Sequence, residues 1–481
     1  MKPIAPPALP DAESDLALPL AASSVLEYER TGARPPSLLR DLLILAFPVI
    51  FEQMAHTVVG LTDTWLANNL PEHSTAATAA VGNIAYVLWF IGLIVSAVGT
   101  GSTALIARAR GARHRRLANS VCGQSVTASV VMGVLLAGII YLWAGPLVNL
   151  MGLSAEANTY AVSYLRMLTI SIPFTTLMFT ANACLRGAGD TRTPAIAMIV
   201  LDVLNVVFSF SLTYGWLGLP KMGFEGIAIG TVIAYIAGGV LLFIVLLSGR
   251  GGIRLHAHRL RPHWHTMRRI LRIGIPSGME GLLIWIANIS VVVVINSMDK
   301  TSVASAAHMN AVRIEAISYL PGYAFAMAAA TMVGHALGAK DPARAARATW
   351  LAYAVGGGIM TLCGVFFIFS ANWLAGLMLP DQPQTAELTA QCLRLAGFIQ
   401  AGFSAAMIFS GALRGAGDTL ACMALNLLSI IGIRLTGVLI VVLVFKQGLF
   451  GVWCVLCGEL VIRGLLVFSR FARGKWKHVE V

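Results

Sequence analysis

Asp63, Asp202, Glu280 and Glu315 stand inside stretches that are otherwise apolar enough to lie in lipid. A carboxylate at that depth is costly, so each must face protein or water, and such acids commonly mark ion or proton pathways. Burial favours the neutral acid, whereas a nearby cation favours the carboxylate, so one group can alternate between a proton and a charged partner. Asn205 lies about one turn after Asp202 and can add a neutral oxygen. In the second half, Asn288 and Tyr319 accompany Glu280 and Glu315 as polar neighbours. Each residue also has a structural reading. Asp63 can be a hydrogen-bond hub and Asn205 a tie between helices. Glu280 can reach the interface, and Glu315 can belong to a network joining helices. Glu459 and Arg463, four apart, can share a helix face and neutralise each other.

The elements that must hold these groups are long apolar segments. A bilayer crossing takes about 20 such residues. Twelve fit, over residues 41–66, 80–106, 120–145, 161–184, 194–216, 224–248, 270–296, 311–336, 349–371, 390–412, 420–444 and 449–470. They fall into two sets of six. Leu185-Arg186-Gly187-Ala188-Gly189-Asp190-Thr191 returns 228 positions later as Leu413-Arg414-Gly415-Ala416-Gly417-Asp418-Thr419. Pro48 and Pro276 keep the same offset, as do Arg166 and Arg394. The expected fold is all-α and polytopic, two duplicated six-helix lobes at 41–248 and 270–470. Around them lie a flexible N-terminal tail over 1–40, a linker over 249–269 and a C-terminal tail over 471–481. Six spans is an even number, so both halves start on the same side, related by an axis along the membrane normal.

Of the 481 residues 57% are hydrophobic and only 12% charged, about half the charged share of a soluble protein. The net charge of +12 gathers in alternate loops rather than on a nucleic-acid-binding face. Arg108 to Arg116, Arg250 to Arg272, Lys340 to Arg347 and Arg470 to Lys477 all fall on one side. Positive-inside bias puts that side, with both termini, in the cytoplasm of a plasma membrane, or of the inner membrane in a bacterium. The first residues contain acids and lack the basic start and immediate apolar core of a secretory signal. The seven cysteines are scattered without metal-ligand or disulfide spacing.

The motifs and their order resemble the multidrug and toxic compound extrusion family over roughly residues 40–470. They are Phe47-Pro48 with Gly60-Leu61-Thr62-Asp63-Thr64, Cys184 through Thr191, Gly274-Ile275-Pro276, Arg313-Ile314-Glu315 leading to Pro321, and Leu413 through Thr419. The resemblance implies a V-shaped exporter that exchanges cationic or amphipathic organic compounds for protons or sodium. It implies ion coupling at Asp63 and Asp202, with Asn205 nearby, and a second-lobe role for Glu315. Members with the acid matching Asp202 often carry asparagine one turn before it; this chain has Met198 there. That leaves the neutral-oxygen shell incomplete and favours the proton over sodium.

Other classes fit less well. A lipid-linked precursor flippase would suit two such lobes, but the paired Gly-Ala-Gly-Asp landmarks point away from it. A lipid-modifying enzyme would need a nucleophile, base or metal cluster, and the histidines group only in the basic linker, His256 to His265. A receptor or scaffold would bind without moving ions. The Gly-rich motifs lack the lysine–serine/threonine pair of a phosphate-binding loop, so no ATPase is implied and ion gradients are the expected energy source. No cofactor is expected beyond the transported proton or sodium. A monomer suffices, since two lobes complete one pathway.

Overall fold

The computed structural model describes residues 37–70, 74–151, 153–249, 251–298 and 302–479. Residues 1–36, which hold nearly all of the expected N-terminal tail, lie outside that set, as do Arg250 and residues 480–481. Among the described residues 11 helices are long and apolar enough to cross a bilayer, and one further pair makes a bent span. In chain order the first half contains α1 (Leu38–Asn68), α2 (Ser74–Gly111), α3 (Arg115–Asn149), α4 (Ala155–Thr169), α5 (Ile172–Ala188), α6 (Arg192–Tyr214) and α7 (Phe224–Ser248). The second contains α8 (Trp264–Met298), α9 (Val303–Gly338), α10 (Pro342–Met378), α11 (Pro383–Gly415), α12 (Thr419–Leu443) and α13 (Leu449–Ala472).

The structure alters the expected fourth crossing. Residues 161–184 are not one rod: α4 and α5 meet at a 59° bend. Ser171 opens α5 and Pro173 occupies its first turn, where the missing amide costs nothing but the preceding helix cannot continue straight. The seventh span starts early, since α8 begins at Trp264, inside the segment read as linker. Local π turns at Tyr353–Gly357 and Ile430–Leu435 interrupt α10 and α12 without ending them.

Both copies of the repeated motif make the same two backbone devices. Gly189 and Gly417 adopt φ of +93° and +83°, the left-handed geometry that ends a helix and suits glycine. Two residues earlier, Gly187 and Gly415 let α5 and α11 approach neighbouring backbone: an added Cβ would meet the Thr103 oxygen at 2.8 Å and the Ala330 oxygen at 2.1 Å. The acids of the two motifs then diverge. Asp190 accepts from the Thr193 amide at 3.0 Å, capping α6, whereas Asp418 receives Arg470 at 2.9 and 3.1 Å.

The fold is a V of two helical lobes. Across it, α2 runs beside α8 and α9, and α1 touches α9. The junction carries polar ties toward the basic ends of the helices. His335 Nε2 lies 2.9 Å from the Gly187 carbonyl, Thr331 donates to the Arg186 carbonyl at 3.2 Å, and Arg344 stands 3.6 Å from Asp41. Apolar residues of both lobes, Leu42, Leu45 and Ala46 with Phe325, Ala326 and Ala329, bury each other at the same end. Two extensions pack onto this face. The segment between the lobes buries Ile253 and Leu255, and Gln124 of α3 binds the Arg259 and Arg261 carbonyls and the His263 amide. The C-terminal segment buries Trp476 against Phe471, with ring centroids 4.8 Å apart, and Arg108 of the other lobe donates to the Val479 carbonyl at 2.7 Å.

Candidate ion-coupling site

The first lobe gathers Asp63, Asp202 and Asn205 around one point. Asp63 comes from α1, Asp202 and Asn205 from the middle of α6, and all three are buried. Thr231 of α7 is the shared neighbour. It stands beside Asp63, accepts from the Asn205 amide at 3.0 Å and donates to the Ile227 carbonyl at 3.0 Å. Tyr164 of α4 faces Asp63, and Tyr235 of α7 faces both aspartates. His56, two turns before Asp63, places Nδ1 3.6 Å from Asp202 Oδ1. Beyond Asp63, Trp65 stacks on Phe210 at 5.6 Å, and Phe210 on Trp216 at 6.1 Å, an aromatic cover over that end of the cluster.

This cluster is short of donors. Asp63 Oδ1, both Asp202 oxygens and Asn205 Oδ1 are buried without a hydrogen bond among the described residues. Buried polar atoms are nearly always paired, so four such acceptors at one place make this cluster the candidate site of the first lobe. Met198, one turn before Asp202, is buried and offers sulfur in place of oxygen. Its repeat counterpart is Asn426.

The second lobe fills the corresponding region with its own counter-charges. Thr231 gives way at the repeat offset to Glu459, which is fully buried. Glu459 receives Ser429 at 2.6 Å, Arg434 at 2.7 and 3.1 Å, and Arg463 at 2.9 Å. The expected Glu459–Arg463 pair is therefore present, with Arg434 added to it. Arg434 also donates to Asn288 at 2.8 Å and lies within electrostatic reach of Glu315, which in turn faces Tyr319 one turn on.

Glu280 stands apart from that set. Its Oε1 accepts from Arg414 at 3.0 Å and from Asn426 at 2.6 Å. Asn288, two turns further along α8, has its own partner. Eight residues on a helix add about 12 Å of rise and turn about 80° past two full turns, which sends Asn288 to Arg434 instead. Sequence reasoning missed that the Glu280–Arg414 bond is duplicated: Glu52 of α1 binds Arg186 of α5 at the same 228-residue offset. Tyr323 of α9 faces both Arg186 and Arg414. The repeat offset alone could have found Glu52 and Asn426. The same offset leads from Glu459 to Thr231, but His56 answers to Ile284, so the repeat did not mark it.

Among the described residues no group of three or more His, Cys, Asp or Glu could hold a metal ion. The family model described as MatE matches residues 48–211 and 276–440, one stretch in each half. The chain belongs to the MatE family. As a MatE protein it is a membrane transporter and not an enzyme. It is 28% identical over 452 residues to the probable multidrug resistance protein NorM of Thermotoga maritima, covering 92% of this chain and 94% of that one. It is 26% identical to the multidrug resistance protein PmpM of Pseudomonas aeruginosa, covering 84% of each. Its fold matches an outward-facing multidrug resistance MATE transporter with a TM-score of 0.86 at 21% identity, over 96% of this chain and all of that one. A MOP superfamily transporter from Pyrococcus furiosus matches with a TM-score of 0.84 at 22% identity, over 92% and 97% of the two chains.

Proposed function

We propose that this MatE protein exports cationic or amphipathic organic compounds from the cytoplasm in exchange for protons, working as a monomer with its basic face inward. The observation that carries the reading is the group of unpaired buried acceptors on Asp63, Asp202 and Asn205. A proton satisfies such oxygens without needing a complete oxygen shell, and Met198 removes one oxygen that a sodium ion would use. Tyr86, Trp89, Tyr319 and Tyr323 offer partly exposed aromatic faces from both lobes, suited to flat organic cations. Glu315, Tyr319 and Asn288 form the polar network of the second lobe near that surface, while Glu280 braces α8 against α11 and α12. The lobe contacts at the basic ends then represent the outward-open stage. Protonation changes the charge of the cluster, and the two stages must bind the proton with different affinity for exchange to be coupled.

The test is ethidium efflux from proteoliposomes under separately imposed proton and sodium gradients. Proton-driven efflux is expected in the wild type and should fall to the protein-free rate in Asp63→Asn and Asp202→Asn, with both variants still eluting as folded protein. Drive by sodium alone would reassign the coupling ion. Absence of efflux under either gradient would move attention to another cargo, a lipid-linked precursor included.

A further inference from the structure

Glu52, His56 and Asp63 follow one another on α1 at intervals of four and seven, which places them along one stripe of the helix. The His56 side chain is 43% exposed and that of its neighbour Asp202 only 5%. The imidazole therefore keeps an exposed edge that the carboxylate lacks. Its Nδ1 is buried without a hydrogen bond, and Asp202 Oδ1, also unpaired, stands 3.6 Å away. A displacement of well under an ångström closes that gap to a hydrogen bond.

We propose that His56 loads protons onto the Asp63–Asp202 site and, when cationic, keeps metal cations out of it. The proposal rests on the proton-coupled reading above. The imidazole takes a proton from cavity water. Its Nδ1–H bond then breaks as an O–H bond forms on Asp202 Oδ1, leaving a neutral imidazole and a neutral carboxylic acid. Before that transfer the imidazolium occupies the position from which a sodium ion would approach Asp202. The charged groups that face His56 suit this role: Asp202 from α6, and Glu52 and Asp63 from its own helix. Glu52 is already held by Arg186 of α5, so the two aspartates are the open partners. Tyr164 and Tyr235 add phenols from α4 and α7. A purely structural histidine needs neither the exposed edge nor the unpaired ring nitrogen.

The experiment compares wild type, His56→Gln, His56→Asn and His56→Lys in the same proteoliposomes while external pH is varied without sodium. Wild-type efflux is expected to rise on acidification with a single imidazole inflection. The two amide variants should lose that inflection and slow by about tenfold or more, as when a proton-transfer group is removed. With its fixed cation, His56→Lys should still bind ethidium but show no proton drive. Sodium should raise the melting temperature of the amide variants and leave the wild type unchanged. Carrying both amides guards against a folding failure in one. A proton-driven wild type with the same pH profile in either folded amide variant overturns the His56 assignment alone. A wild type driven only by sodium overturns both this assignment and the reading beneath it.

Discussion

Arg186→Ala is expected to destabilise the protein by about 3–5 kcal/mol, because it leaves the Glu52 carboxylate buried without its counter-charge. The side chains of this pair are only 10% and 6% exposed, so solvent cannot take over the missing contact. The double variant Glu52→Gln with Arg186→Met removes both charges and should recover most of the loss, since the desolvation penalty disappears with them. Thermal unfolding of the detergent-purified protein measures both effects. The duplicate supplies an internal comparison. Arg414 is 30% exposed, and Asn426 keeps donating to Glu280 after Arg414 is removed. Arg414→Ala should therefore cost clearly less than Arg186→Ala. Equal losses at the two sites would show that burial does not set the strength of these pairs.

Gly338→Val is expected to pry the lobes apart at their basic ends. An added Cβ at Gly338 would stand 2.1 Å from the Arg108 carbonyl oxygen, and one at Gly111 would stand 2.0 Å from that of His335. Each glycine thus presses against the other helix's backbone, so α2 and α9 can touch only because both lack a side chain. Overpacking at such a contact costs about 1–3 kcal/mol even where neighbours can adjust, and a backbone carbonyl adjusts little. That energy falls on the closed junction alone, so the population should shift about tenfold or more toward a state open at the basic face. Electron–electron distance measurements between spin labels at Arg113→Cys and Ala339→Cys, both exposed, in a Cys454→Ser background, follow the opening. A distance distribution identical to that of the glycine protein would sink the idea that this crossing is the seal. Efflux by Gly338→Val should fall with the loss of the closed state.

Much of this architecture was legible in the sequence because lipid imposes it. A crossing must be apolar and helical, so hydropathy found the spans, and the repeated Arg-Gly-Ala-Gly-Asp run located equivalent turns in both halves. The bend between α4 and α5 was not legible. Pro48, Pro146, Pro276 and Pro321 lie within helices that continue past them, so Pro173 carried no unambiguous message. Side-chain partnerships were half legible. The i,i+4 pair Glu459–Arg463 could be read from helical spacing, but Arg434 joins it from another helix, and only packing reveals that. That Asp63 and Asn205 meet at Thr231, with Tyr235 facing both aspartates, is likewise a product of packing. The asymmetry between the lobes stands in the sequence at the same offset, where Asp63 answers to Val291 and Asp202 to Ile430.

The strap between the lobes has a mechanical consequence. Gln124 clasps its backbone at Arg259, Arg261 and His263, Thr127 adds Leu260, and Asn119 receives the Arg254 amide. Those anchors all belong to α3, so the strap travels as cargo of the first lobe and contributes no slack of its own. The next residue, Trp264, already starts α8. The hold runs on into that helix, since Ile270 and Ile273 are buried in the first lobe's core, so the leaf that turns when the lobes swing begins only beyond them, about Pro276.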